Sequence, residues 1–238
     1  ASFPYQELVS QSATRSRMEP EFELWNTDVL AGNRFFDVEI TYAKTTPDDI
    51  LICASTTNRG PVPATLHLLP TIWFRNTWSW GRDDRRPILQ ETAPNVIEAL
   101  HHELGAYRLH CENAVTVLFT ENESNFERLW AVPNRSPFVK DSINDAVVQD
   151  RLELVNPSKV GTKAAAHYQF TLPPNETRTI RLRLRKIDPG SAHASGGPVG
   201  ASPTGSRDKN VRGETPRTDR EARALPGEES SGNAFSDF

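Results

Sequence analysis

Two cysteines in 238 residues are too few for a disulfide framework. Both, Cys53 and Cys111, sit inside strand-like apolar runs, where a reduced, buried thiol is the expected state. This usage fits a reducing compartment, and the expected location is cytoplasmic. No stretch approaches the roughly 18 consecutive apolar residues of a membrane-spanning helix, and Ala1-Ser-Phe-Pro-Tyr lacks the basic and apolar regions of a signal peptide. A membrane partner is therefore not expected. Basic excess is also missing: the formal charge is −4 and the pI about 5.9, and Arg82, Arg85 and Arg86 are diluted by Asp83 and Asp84. This acidic total argues against nucleic acid as the main partner. There is no zinc-type Cys/His spacing, no Gly-rich phosphate loop and no serine nucleophile elbow, so no cofactor and no metal is expected. The nearest approach to a ligand cluster is His101-His102-Glu103, and on a strand adjacent histidines would point to opposite faces.

Large apolar residues are scarce overall, at 37% hydrophobic content, and the deficit is uneven. From Ile187 to Phe238 the chain turns to Gly, Pro, Ser, Ala and Arg, a composition that cannot bury a core and predicts a disordered tail over 187–238. Residues 1–186 are the globular part. The only methionine is Met18, so the chain reads as a piece of something longer. Asn122-Glu-Ser, Asn134-Arg-Ser and Asn175-Glu-Thr match the glycosylation sequon, but such triplets carry little weight alone.

Strand signals fill the globular part. Phe36, Val38, Ile40 and Tyr42 alternate with Asp37, Glu39 and Thr41, the period-two signature of a half-buried strand. Ile50 to Ala54 continues it after the Thr46-Pro-Asp-Asp turn. Asn58-Arg-Gly-Pro then predicts a tight connection to an antiparallel neighbour at Ala64–Leu69. Shorter strands are expected at Val96–Leu100, Ala106–Cys111, Val115–Thr120 and Arg128–Val132, with a helical turn only at Ser142–Arg151. Ala164–Leu172 and Thr177–Arg185 read as a hairpin around Pro173-Pro-Asn-Glu, its second strand striped by Arg181, Arg183 and Arg185. Many short strands with almost no helix predict an all-β antiparallel sandwich.

Within that pattern, Leu66 to Gly81 places three of five tryptophans beside an arginine and an asparagine. Two readings stay open. Trp78 and Trp80, on one face of a strand, would form a platform with Arg75 and Asn76 that stacks on sugar rings or docks a partner domain. The other is a core strand running into a packed corner. Carboxylates are plentiful, including Glu121, Glu123, Asp141 and Asp145, but no pair is identifiable as a general acid and base, and solvated surface is the default for most of them.

Ordered runs go further than periodicity. Phe35-Phe-Asp-Val-Glu-Ile-Thr-Tyr-Ala-Lys, Asp49-Ile-Leu-Ile, Thr57-Asn-Arg-Gly-Pro, the tryptophan-rich Leu66–Gly81 run, Leu118-Phe-Thr-Glu-Asn-Glu-Ser-Asn, Val139-Lys-Asp and Gly161-Thr-Lys-Ala-Ala resemble the N-terminal region of bacterial glycoside hydrolase family 63-like proteins. These include glucosidase-type and mannosylglycerate-hydrolase-like enzymes. The resemblance covers Phe3 to Arg185. It implies a galactose-mutarotase-like antiparallel β-supersandwich, here truncated, whose partner is an α/α-barrel bearing the inverting acid and base. The chain would then be an inactive fragment that braces the missing barrel and shapes a sugar rim through Arg75, Asn76, Trp78 and Trp80. No catalytic residue is assigned, and oligosaccharide is the expected small partner. The competing class is a stand-alone carbohydrate-binding β-sandwich. Beyond Arg185 the resemblance stops, and the remainder reads as a disordered extension or an out-of-frame translation.

Overall fold

The computed structural model describes residues 3–81, 84–187, 234, 235 and 238. Among the described residues the protein is all-β, with two antiparallel sheets packed face to face. The larger has seven strands: β1 (Phe36–Thr46), β2 (Asp49–Asn58), β11 (Thr177–Ile187), β7 (Gly105–Cys111), β6 (Val96–His101), β5 (Ile88–Ala93) and β9 (Val160–Gly161), in that spatial order. The smaller is built around β10 (Lys163–Leu172). On one side of β10 lie β3 (Ala64–Leu68) and β4 (Thr71–Trp73), joined through Leu69-Pro70; β8 (Thr116–Thr120) pairs with β10 as well. Pro70 has no N–H to give the ladder, but its carbonyl accepts from Ala166 N at 3.0 Å, which keeps β3 and β4 in line.

The core lies between the sheets. Ile180, Leu182 and Leu184 of β11 point inward with Leu89, Ile97 and Leu109, against Val117, Phe119, Ala164 and Ala166 of the smaller sheet. Three consecutive alanines, Ala164–Ala166, are 0% exposed, and their small side chains let the layers close on the bulk of Phe119. A second cluster, Leu118, Ile143, Ala146, Val155 and Ala165, seats α3 (Ser142–Val148) on the other face of the smaller sheet. Gly161 is required by close approach: a Cβ there would sit 2.3 Å from the carbonyl oxygen of Thr120. Val38, Ile40 and Tyr42, on the face continuous with Ala54 and Ile52, stay exposed, and Ile40 and Tyr42 line an open cleft with Leu68 and Ile72 of the smaller sheet.

Several expectations are corrected. Ala64–Leu68 is a strand but does not pair with β2; the Asn58-Arg-Gly-Pro connection carries the chain across to the other sheet. Asn58 holds that crossing, its amide donating to Val62 O and Leu172 O at 2.9 and 2.8 Å and its Oδ1 accepting from Gly60 N. Likewise β10 and β11 are consecutive but unpaired, because Pro173-Pro-Asn-Glu is also a crossing between sheets. Residues Arg128–Val132 are not a strand. They fall in and just after α2 (Phe126–Trp130), whose first turn Asn125 caps by accepting from Arg128 N at 3.0 Å. The N-terminal region holds α1 (Tyr5–Thr14), which buries none of its residues. Ile187, placed at the start of the tail, is the last residue of β11 and pairs with Ala106. The disorder expected for the tail falls otherwise on 188–233, 236 and 237, outside the described residues. Among the described residues no helix is long and apolar enough to cross a membrane. Both cysteines are free thiols, and burial pushes that of Cys111 up to about 12.

Candidate functional site

The tryptophan-rich run leaves the smaller sheet at Trp73, opposite Lys163, and Phe74 N still donates to Thr162 O at 3.0 Å. There the strand ends, because Asn76 folds the chain over itself. Its Oδ1 accepts from Ser79 N at 3.0 Å, and its amide donates to Ser79 Oγ at 2.9 Å and to Asn122 O at 3.2 Å. Trp78–Trp80 is consequently a 3₁₀ turn, closed by Gly81 at φ 66°, a left-handed conformation that glycine adopts without steric cost.

This overturns the single-platform geometry. A 3₁₀ turn advances about 120° per residue, so residues two apart diverge by about 120° and do not share a strand face. Trp78 turns inward, donating Nε1–H to Glu123 Oε1 at 2.8 Å. Trp80 turns outward, 55% exposed, with the Arg75 guanidinium 5.8 Å from its ring centroid. The core-strand reading holds for Leu68, Ile72 and Phe74, which pack against the core, but Trp73 is 57% exposed, so the tryptophans do not seal a packed corner. The four expected residues thus divide into roles. Arg75 and Trp80 form a surface pair, Asn76 shapes the turn, and Trp78 anchors it.

Beneath the turn lies a polar cluster that the sequence did not reveal. Arg86 stacks 5.6 Å from the Trp78 centroid, pairs closely with Glu121 and reaches Glu123 at 3.6 Å. Thr162, 1% exposed, donates to Glu121 Oε2 at 2.6 Å and accepts from Asn122 N at 2.8 Å. Asn122 in turn donates to Phe74 O at 2.8 Å, so its amide is engaged and not presented as a glycosylation site. One guanidinium bridges both carboxylates. Glu121 and Glu123 are therefore a clamp on the tryptophan turn. Arg86 lay hidden in an acid-and-arginine stretch of which Arg82 and Asp83 fall outside the described residues.

The other carboxylates flagged by sequence are fasteners too. Arg128 on α2 pairs with Asp141 at 2.7 Å and also with Asp145, tying α2 to α3, and its hydrogen bond holds the Asp145 carboxyl below the usual range. At the β6–β7 turn, the expectation that His101 and His102 diverge is corrected. The strand ends at His101, the two rings stack with centroids 4.5 Å apart, and ligand-type atoms of His101, His102 and Glu103 lie within 4.8 Å of one another. His101 Nδ1 already accepts from the backbone N–H groups of Glu103 and Leu104 at 3.1 and 3.3 Å, so a cation there would compete with the turn itself.

No family model matches the chain. The sequence is similar to an uncharacterized protein, YMR196W, of Saccharomyces cerevisiae (strain ATCC 204508 / S288c), with 30% identity over 219 residues. The match takes in 77% of this chain and 20% of the yeast protein, so the chain spans about a fifth of the length of the relative it matches.

Proposed function

We propose that this chain is the non-catalytic sandwich of a larger glycoside hydrolase family 63-like α-glycosidase. Its exposed Arg75–Trp80 pair forms one rim of the surface that meets the α/α-barrel and its oligosaccharide. In that whole protein, a barrel acid and base would hydrolyse an α-linked glucoside or related sugar with inversion. The observation that carries the reading is the mounting of Trp80. Two large aromatic rings, Trp73 and Trp80, stand in solvent, and the turn that presents Trp80 is held by Asn76 and by the Trp78–Glu123–Arg86 cluster. A rigid, half-exposed indole with a guanidinium beside it offers an apolar face to a sugar ring and donors to its hydroxyls. The ordered motif resemblance and the much greater length of the yeast relative support a barrel partner.

The second reading, a stand-alone carbohydrate-binding sandwich, draws on the same exposed pair, which needs no barrel to touch a sugar. Titrating the isolated chain with maltooligosaccharides, followed by tryptophan fluorescence, separates them. A brace with half a sugar surface shows no saturable binding tighter than about 1 mM. A self-sufficient binding module saturates below that and loses the response in Trp80→Ala.

A further inference from the structure

The outer face of the seven-stranded sheet is striped with cations. Arg181, Arg183 and Arg185 alternate along β11 with inward-facing leucines, and β7 sets His110 opposite Arg183 and Arg108 opposite Arg185. Acidic neighbours answer three of them: Glu112 meets Arg181 at 3.4 Å, Asp49 meets Arg183 at 2.7 Å and Glu98 meets Arg108 at 3.2 Å. The Asp49 pair is the most constrained. Its carboxylate takes the Nε and Nη2 edge of Arg183, and both side chains are largely buried, at 13% and 14% exposure. That leaves Nη1 aimed away from Asp49, fixed before any ligand arrives.

Nη1 of Arg183 donates to the backbone carbonyl of Ala234 at 3.0 Å. Two further contacts of different chemistry accompany it. The Arg181 guanidinium lies 5.8 Å from the centroid of the Phe238 ring. Phe235 borders a cleft of about 380 Å³ shared with Pro94, Val96, His110 and Asn113. The two phenylalanine rings are 6.0 Å apart, so the segment presents one aromatic surface. The sequence joins this segment to β11 only through residues 188–233.

We propose that the arginine-striped outer face is a peptide-docking site whose occupant is the chain's own segment Ala234–Phe238. Recognition combines a main-chain carbonyl read by a preset guanidinium, an aromatic ring under a second one, and another aromatic three residues earlier that forms one wall of a cleft with β7 residues. The site is independent of the Arg75–Trp80 rim.

The test compares the full chain with a chain ending at Asn233, each titrated with a fluorescein-labelled peptide of residues 233–238 and followed by anisotropy. The truncated chain binds the peptide saturably. The full chain binds it at least about tenfold more weakly, because its tethered copy competes at a high effective concentration. Phe235→Ala in the peptide weakens binding at least about fivefold, as does Arg181→Ala in the truncated chain, where the side chain is 43% exposed and outside the core. The peptide variant reports even if the chain variant misfolds. No saturable binding to the truncated chain, equal binding to both chains, or indifference to Phe235 overturns the proposal.

Discussion

Replacing Glu123 by Ala removes the acceptor that holds the tryptophan turn, and the structure sets the scale of the loss. The Glu123 side chain is 6% exposed, accepts from Trp78 Nε1 at 2.8 Å and faces Arg86 at 3.6 Å. A hydrogen bond to a charged acceptor contributes about 1.5–3 kcal/mol. Trp78 is only half-buried, so water can reach part of what is vacated, and the lower half of that range, about 1.5–2 kcal/mol, is expected. With a urea m-value of about 2 kcal/mol/M for a domain of this size, the midpoint falls by about 0.75–1 M. Trp78→Phe keeps the ring under Arg86 and deletes only the N–H, so it isolates the same bond from the other side. Urea unfolding of both single variants and the double variant yields a coupling energy of about 1 kcal/mol, with the double variant little worse than Glu123→Ala alone. Additive losses, or a Glu123→Ala midpoint within 0.2 M of the parent, would refute the claim that Glu123 holds Trp78.

Three further outcomes follow from the same contacts. Burial and the neighbouring arginines push His110 down to about 4, against about 6.5 in an unfolded chain, so between these values the unfolded state binds more protons and stability falls as pH drops from 6.5 to 4. His110→Gln removes that component; a stability–pH curve with the same slope over this window in both proteins would contradict it. Gly161→Ala forces a methyl group against the Thr120 backbone and costs about 1–3 kcal/mol by thermal unfolding, whereas an unchanged midpoint would show that β8 and β9 can separate freely. Trp80→Ala costs less than about 1 kcal/mol because the ring is 55% exposed; a core-like loss of 3–5 kcal/mol would show instead that Trp80 is a packing residue.

Local patterns were readable wherever one face of a strand meets the core. The alternation of Ile180, Leu182 and Leu184 with three arginines marks β11 and its two faces correctly, because the pleat enforces period two. Pairing was not readable. Pro173-Pro-Asn-Glu has the same turn chemistry whether it closes a hairpin or crosses between layers, and here β10 pairs with β3, β4 and β8 instead of with β11. At the candidate site, Trp78-Ser-Trp80 mimics strand alternation. The contrary signal was present in Asn76, three residues before Ser79, followed by Gly81: a side-chain cap and a left-handed stop. The Arg86 clamp had no local acidic signal, since its carboxylate partners lie more than thirty residues away along the chain.

The central claim, a non-catalytic sandwich belonging to a larger inverting glycosidase, is tested most directly by one paired assay. This chain and the full-length yeast relative are incubated with the same panel of α-glucosides and α-mannosides, and proton NMR reads the anomer first released. The account predicts no turnover by this chain and hydrolysis with inverted stereochemistry by the long relative. Turnover by this chain that disappears on replacing Glu121 or Glu123, or failure of the full-length relative to cleave any α-glycoside, would contradict it.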